Sequence, residues 1–419
     1  MSELLEAPPR AVRATETRLL PREPLDLPAF ERRYGPRPAV SERLLEAIEL
    51  SGLTGRGGAG FPTARKLRTV RSRRGAVVVA NGTEGEPVSA KDRTLIERNP
   101  HLVIDGTLTA ARLVRARRVV IAVGRSGAAA TVLEGALAER RDARGVSVAT
   151  LPDRFVAGEE SALVHWLNGG AAKPTTTPPR PFERGVGGRP TLVQNVETLA
   201  NLALIARFGP DWFRAEGTAD EPGTILATVT GAVERPGVVE APLGVPVAEL
   251  AALRGGARGP VQAYLVGGYF GNWVPPWPGL RLSRESLAEV GASPGARAIV
   301  VLGDRSCGVV ETARVVAYMA AQSAAQCGPC VFGLRALAES LQSVARGDSD
   351  ATESYERLER LERQIAGRGA CAHPDGVLGF VASATLVFRD EFARHLAGAC
   401  SAVDHRPLLP TPGVEGGWR

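Results

Sequence analysis

Apolar residues follow two rhythms along the chain, and their order predicts an α/β protein with two further parts. Ser41 to Leu50 carries Leu44, Leu45 and Ile48 at helical spacing, with Ser41 placed to cap the start. Ala76-Val77-Val78-Val79-Ala80 is an unbroken apolar run of buried-strand length, and Arg118 to Val123 is a second, ending at Gly124. Helices are expected near Pro100 to Val114 and Ala128 to Arg141, followed by a strand at Val146 to Leu151. This alternation predicts a parallel sheet covered by helices. Glu159 to Leu167 and Leu192 to Arg207 read as further helices, separated by a Pro-, Thr- and Gly-rich loop from Lys173 to Pro190.

From Gly223 the pattern shortens. Ile225 to Val229, Val238-Val239 and Ala263 to Val266 are β-rich runs broken by turn signals at Glu234-Arg235-Pro236-Gly237 and Gly267-Gly268, with one helix near Val247 to Leu253. From Glu311 to His395 the spacing is helical again, with Leu334, Leu337, Leu341 and Val344 in one stripe and Leu358, Leu361 and Ile365 in the next. The expected division is an extended arm over 1–38, an α/β domain over 39–222, a small β-rich module over 223–300, a helical bundle over 301–400 and a loose tail over 401–419.

At 419 residues the chain has room for two or three cores, and 44% hydrophobic with 23% charged residues excludes wholesale disorder. Lys plus Arg, 51, against Asp plus Glu, 45, leaves +6, too small a surplus for a dedicated nucleic-acid binder. No apolar run approaches the ~20 residues that span a bilayer. The N-terminus lacks the apolar stretch of a secretory signal, and five scattered cysteines do not make a disulfide framework. A reducing cytoplasm is the expected setting, with attachment at the membrane's cytoplasmic face compatible.

Four clusters carry candidate chemistry. Gly55-Arg56-Gly57-Gly58-Ala59-Gly60 satisfies G-x-G-x-x-G, where glycines let backbone amides approach a phosphate, with Phe61 and Lys66 close behind. The fingerprint normally follows a strand and this one follows a predicted helix, so a standard Rossmann site is disfavoured and a flexible loop is the alternative. Asn81-Gly82-Thr83-Glu84-Gly85-Glu86-Pro87 follows a buried strand, where open α/β sheets bind ligands; the alternative is a solvated acidic turn. Gly158-Glu159-Glu160 opens a helix, and its paired carboxylates are either helix caps or cofactor contacts. Cys327-Gly328-Pro329-Cys330, with Cys371 ahead of His373, suits an iron–sulfur cluster, zinc or plain buried thiols. Cys307 and Cys400 show no ligand spacing and read as structural.

In this order, from Ser51 to His395, these motifs resemble the family of the FMN-binding, NADH-oxidising subunit of respiratory complex I (its F subunit) and relatives in NAD-linked hydrogenases and formate dehydrogenases. The glycine loop with Lys66 is similar to the family's, as are Asn81 to Pro87 with Lys91-Asp92-Arg93, Gly158-Glu159-Glu160, Asn195-Val196-Glu197-Thr198-Leu199, and Cys327, Cys330 and Cys371. The resemblance implies an α/β flavin domain, a β-grasp module of the soluble-ligand-binding kind and a C-terminal helical iron–sulfur bundle. It implies that Gly55, Gly57, Gly58, Gly60, Lys66, Asn81, Glu84, Phe155, Gly158, Glu159, Gln194, Asn195 and Thr198 surround FMN. Phe61, Glu86 and Glu160 face the nicotinamide nucleotide, with Glu160 in the catalytic position, and Cys327, Cys330 and Cys371 bind a [4Fe–4S] or [3Fe–4S] cluster.

The implied activity is NADH oxidation through FMN, with electrons leaving through the cluster to a ferredoxin or a thioredoxin-like [2Fe–2S] subunit within a hetero-oligomer. The sequence departs from the family at four places. Ala324 stands where the family has the first cluster cysteine, leaving Ser323, His373, water or a partner's residue as fourth ligand, a three-iron cluster, or no cluster at all. Thr177-Pro178-Pro179-Arg180 replaces K-P-P-F, Thr69 replaces an aromatic residue, and Thr83 an acidic one. These changes keep two alternatives in view: a ferredoxin-linked flavin and iron–sulfur oxidoreductase that does not use NADH, and a catalytically silent accessory subunit.

Overall fold

The computed structural model describes residues 17–413 and 417–419. Its first layer is the parallel sheet that the apolar runs predict. Strands β1 (Val77–Gly82), β2 (Arg118–Gly124), β3 (Val146–Leu151) and β4 (Thr191–Asn195) lie in the order β3-β2-β1-β4. All three pairings are parallel. Helices α1 (Leu27–Tyr34), α2 (Arg43–Ser51), α3 (Thr63–Arg71), α4 (Lys91–Arg98), α5 (Pro100–Leu113) and α6 (Ala129–Ala138) precede β3 in the chain. Helix α7 (Glu160–Leu167) follows β3, and α8 (Val196–Arg214) follows β4. Alternate strand residues feed two cores: Val78 and Ala80 pack with α5 and α8, while Val77, Val79 and Val193 pack with Leu163 and Val164 of α7.

One expectation fails here in a way that matters for the site. Leu192 to Arg207 is not a single helix: residues 191–195 form β4, and α8 begins at Val196. Strand and helix are fused without Gly or Pro between them, and Asn195 ends one and caps the other, its Oδ1 accepting from Glu197 N at 3.0 Å. Ser41 does not cap α2, whose N-cap is Glu42 with no side-chain bond.

The second sheet holds β5 (Thr224–Gly231), β6 (Gly237–Pro242), β7 (Val261–Val266), β8 (Asn272–Val274) and β9 (Ala298–Gly303), in the order β6-β5-β9-β7-β8. Helices α9 (Val247–Leu253) and α10 (Arg284–Glu289) lie between its strands in the chain. Strand β9, in the middle of this sheet, straddles the expected boundary at residue 300. One face of the sheet closes over a core with Leu250 of α9, and the other packs Ala263, Leu265, Val300 and Leu302 against the C-terminal helices. These are α11 (Gly308–Ala321), α12 (Leu334–Arg346), α13 (Ala351–Ile365), α14 (His373–Val387) and α15 (Arg389–Leu396), whose predicted leucine stripes are buried.

Neither end that the structure describes is loose. Residues 1–16 of the expected arm and 414–416 of the expected tail lie outside the described residues. The rest of the arm packs down: Leu19 and Phe30 are buried, and the carboxylate of the half-buried Glu240 of β6 accepts from Leu19 N at 2.9 Å and Leu20 N at 3.1 Å. Beyond α15, Leu408 N and Leu409 N donate to Glu311 at 3.0 and 2.9 Å, Tyr269 Oη donates to Pro410 O at 2.6 Å, and Trp418 lies against Arg154 and Lys173. Apolar residues at wide spacing in these Pro-rich segments carry no periodicity, which hides their burial from the sequence. Among the described residues no helix is long and apolar enough to cross a membrane.

Candidate functional site

Strands β1 and β4 are neighbours, yet β1 leads on toward β2 while β4 lies on its other side, so the strand order reverses between them. In open α/β sheets such a switch point opens a crevice at the carboxyl ends of the strands. Asn81 and Asn195 pair across that end. A cavity of about 660 Å³ occupies the crevice, within the roughly 300–1,000 Å³ of small-molecule sites. Its walls include Gly55, Gly57, Gly58, Gly60, Phe61, Lys66, Asn81, Glu86, Phe155, Gly158, Glu159, Glu160, Gln194, Asn195 and Thr198.

The glycine loop forms one wall, clamped at its base. Gly55 N donates to Phe61 O at 2.9 Å and Thr63 N to Leu53 O at 3.0 Å, closing an arch between α2 and α3. Gly58, at φ 110°, and Gly60, at φ 59°, hold conformations that side chains disfavour. A Cβ on Gly57 would stand 3.2 Å from the Asn195 Cβ, so loop and β4 approach too closely for a larger residue to sit easily. The loop is tied from behind by Arg56 N, which donates to Thr198 Oγ1 at 2.8 Å.

Cations back the loop. The Arg56 guanidinium is buried, donates to Pro222 O at 3.0 Å, and is driven down to about 9 by burial and by Arg297 beside it. Arg297 is buried and lowered for the same first reason, and Arg284 Nη2 donates to Gly60 O at 2.9 Å. Together with Lys66 they give the arch a positive field suited to phosphate.

The carboxylates divide their work. Glu159 is the N-cap of α7, its Oε2 accepting from Ser161 N at 2.9 Å and Ala162 N at 3.0 Å. Glu160, one residue on, turns to the cavity with Oε1 3.1 Å from Lys66 Nζ, and that buried oxygen has no aligned hydrogen-bond donor. Glu86 accepts from Tyr269 N at 2.7 Å and Val88 N at 3.3 Å, and burial pushes its carboxyl up to about 8. Glu84 is the one expected cofactor residue outside the cavity wall. Its carboxylate accepts from Ser89 Oγ at 2.6 Å and from Asp92 N and Arg93 N at 3.2 Å, so it anchors the start of α4 instead.

Cys371 and His373 line the same cavity. The Cys330 thiol, pushed up to about 12 chiefly by burial, lies within hydrogen-bond reach of Ser323 and Cys327, and Cys371 is close enough to add to the shift. His373 Nε2 is 2.9 Å from Met319 O, which requires the proton on Nε2 and leaves the buried Nδ1 an unpartnered acceptor. The ring stands edge-on to Phe155 and Phe270, with centroids 5.9 and 5.6 Å away. Of the substituted positions, Thr69 bonds back to Arg65 O at 2.9 Å, and Arg180 N donates to Glu183 at 2.9 Å; neither residue lines the cavity.

Sequence reasoning missed the wall supplied by the second sheet: Gly267, Phe270, Ser293, Gly295 and Ala296. Gly267-Gly268 was legible only as a turn, and nothing local tells that the turn faces β1 some 190 residues earlier in the chain.

Comparison with known proteins identifies the family. Residues 48–204 match the model of the Nuo51 FMN-binding domain, and residues 311–395 that of the NADH-ubiquinone oxidoreductase-F iron–sulfur binding region. The chain is 32% identical over 375 residues to the second F-type subunit of Rhizobium meliloti NADH-quinone oxidoreductase, covering 85% of this chain and 89% of the relative. It is 32% identical over 381 residues to the F-type subunit of Escherichia coli NADH-quinone oxidoreductase, covering 84% of each. A crystal structure of an NAD+-reducing [NiFe]-hydrogenase in the H2-reduced state superposes with a TM-score of 0.78 at 30% identity, covering 84% of this chain. This chain spans 62% of the length of that hydrogenase chain. Two matched regions in the expected order, with relatives matched over most of their length, establish that the chain belongs to the family of F-type NADH-quinone oxidoreductase subunits.

Proposed function

We propose that the chain is the NADH-oxidising flavoprotein subunit of a hetero-oligomeric electron-transfer enzyme. The observation that carries this reading is the sharing of one cavity by the glycine arch, Glu160 and the cluster cysteine Cys371. Bound there, FMN supplies hydride acceptance from NADH and one-electron release, and an iron–sulfur cluster supplies the exit.

The residues fit both groups. The cavity has room for a tricyclic ring, the arch offers backbone amides and cations to a phosphate, His373 Nδ1 is a buried acceptor without a partner, and Glu160 Oε1 is buried with the Lys66 ammonium beside it but no aligned hydrogen bond. Cys327, Cys330 and Cys371 are soft donors near one another, with the Ser323 hydroxyl at Cys330 as the oxygen donor in place of a fourth thiol. His373 is less suited to that place, since Nε2 is committed to Met319 O. In this reading Gly55 to Gly60 and Lys66 bind phosphate, Asn81, Gln194, Asn195 and Thr198 hold the flavin's polar edge, and Phe61, Glu86 and Glu160 meet the nucleotide. Glu160 and Lys66 fix each other and orient the donor.

We read the division as an α/β flavin domain over 39–222, a β-grasp module from 223 that extends past the expected 300 to the end of β9 at Gly303, and a helical iron–sulfur bundle from there to 400. A mixed five-stranded sheet with α9 packed against it and five helices around the cysteines support this. The partner is a ferredoxin or a thioredoxin-like [2Fe–2S] subunit in a reducing compartment, in keeping with the five free thiols.

The test is anaerobic spectroscopy of the full chain with iron counting. NADH should bleach the flavin bands, and Cys371→Ser should lower iron while flavin stays. Flavin bleached by reduced ferredoxin and not by NADH would replace this reading with the ferredoxin-linked one. A colourless, iron-free protein would make the chain an accessory subunit.

A further inference from the structure

We propose that Cys307, Glu391, His395 and Cys400 bind a zinc ion at a site separate from the cavity and from the cysteines near it. The four come from three places in the chain. Cys307 is the N-cap of α11, Glu391 and His395 stand one turn apart on α15, and Cys400 lies in the segment beyond. One donor atom from each lies within 4.8 Å of all the others. Cys307 Sγ is 3.2 Å from His395 Nε2 and 3.8 Å from Glu391 Oε1, and that oxygen is 3.6 Å from the same nitrogen.

These spacings match a coordination sphere. Zinc–sulfur bonds of about 2.3 Å and zinc–nitrogen or zinc–oxygen bonds of about 2.0–2.2 Å, at the tetrahedral angle, set neighbouring donors roughly 3.3–3.8 Å apart. Two thiolates, an imidazole and a carboxylate are a donor set that favours zinc over hard cations. Four protein ligands close the sphere, which makes the site structural. Helix capping alone does not account for the arrangement, because sulfur is a weak acceptor and cysteine a poor N-cap. The Glu391 carboxylate is held in place by Ser401, whose Oγ donates to Oε2 at 2.6 Å and whose N donates to Oε1 at 2.8 Å. Cys307, Glu391 and His395 are buried while Cys400 is exposed, so the ion has a way in. Bound there, zinc staples the start of α11 to α15 and to the segment that runs on toward Glu311.

The test is metal analysis of full-length protein made in zinc-supplemented medium, purified anaerobically and dialysed against a chelator. About one zinc per chain is expected in the wild type and in Cys327→Ser. Cys400→Ser and Cys307→Ala should lose at least tenfold of it, with iron and flavin unchanged. Should Cys307→Ala fail to fold, the exposed Cys400 decides. Zinc absent from the wild type, retained in Cys400→Ser, or lost from Cys327→Ser instead would overturn the assignment. So would a Cys307–Cys400 disulfide found by mass spectrometry in the anaerobic, zinc-free protein.

Discussion

At the scale of single residues, two carboxyls of the cavity wall can be separated by experiment. Glu160 stands opposite Lys66 with a buried oxygen available to a ligand. Glu160→Gln keeps the shape and removes the charge, so flavin content should hold while kcat/KM for NADH falls between about tenfold and a hundredfold, from a charged hydrogen bond worth about 1.5–3 kcal/mol. An unchanged kcat/KM would remove Glu160 from the reaction. Glu86 behaves differently, because its proton is held more tightly in the folded chain, up to about 8 against the ordinary 4.5. The stability it contributes is full below pH 4.5 and is lost as pH rises toward 8. Glu86→Gln should therefore flatten the decline of Tm between pH 5 and 8, measured by thermal unfolding across that range, at the expense of one backbone bond. The residue types at both positions were legible in the sequence, since strand ends and helix starts are where such groups gather. Their orientations were not: Glu84 and Glu159 carry the same chemistry as Glu86 and Glu160, yet they spend it on backbone amides of α4 and α7.

At the scale of elements, strands β1, β2 and β3 and the leucine stripes of α12 and α13 were plain from apolar runs. The strand that creates the switch point was not, because β4 passes into α8 with no punctuating residue. Its neighbour in the core is equally exacting. Helices α5 and α8 touch backbone to backbone at Gly106, where an added Cβ would run into the Leu199 carbonyl. Gly106→Ala should destabilise the chain by about 1–3 kcal/mol through overpacking. Denaturant unfolding measures this, and loss of flavin should accompany it because α8 carries Thr198 at its first turn. A neutral result would mean that the two helices separate freely. The glycine arch was visible as a motif, but its floor on Asn195 and its cationic backing by Arg56, Arg284 and Arg297 depend on pairings hundreds of residues apart.

At the scale of the whole molecule, the C-terminal segment is a strap. Leu409 is fully buried, Glu311 accepts two of the strap's backbone amides, and Trp418 reaches Lys173, whose Nζ donates to Ala324 O at 2.8 Å, three residues before Cys327. Removing residues 406–419 should destabilise the protein by about 2 kcal/mol or more, from the leucine alone, and calorimetry of the truncated chain would show it. An unaltered melting profile would demote the strap to decoration. The chamber itself draws its walls from residues as distant as Gly55, Gly295 and His373. No fragment of the polypeptide owns it, so a ligand touching all of its walls meets them only after distant stretches have come together. Any group that binds there would act as a keystone, its grip felt by every segment that borders the vault.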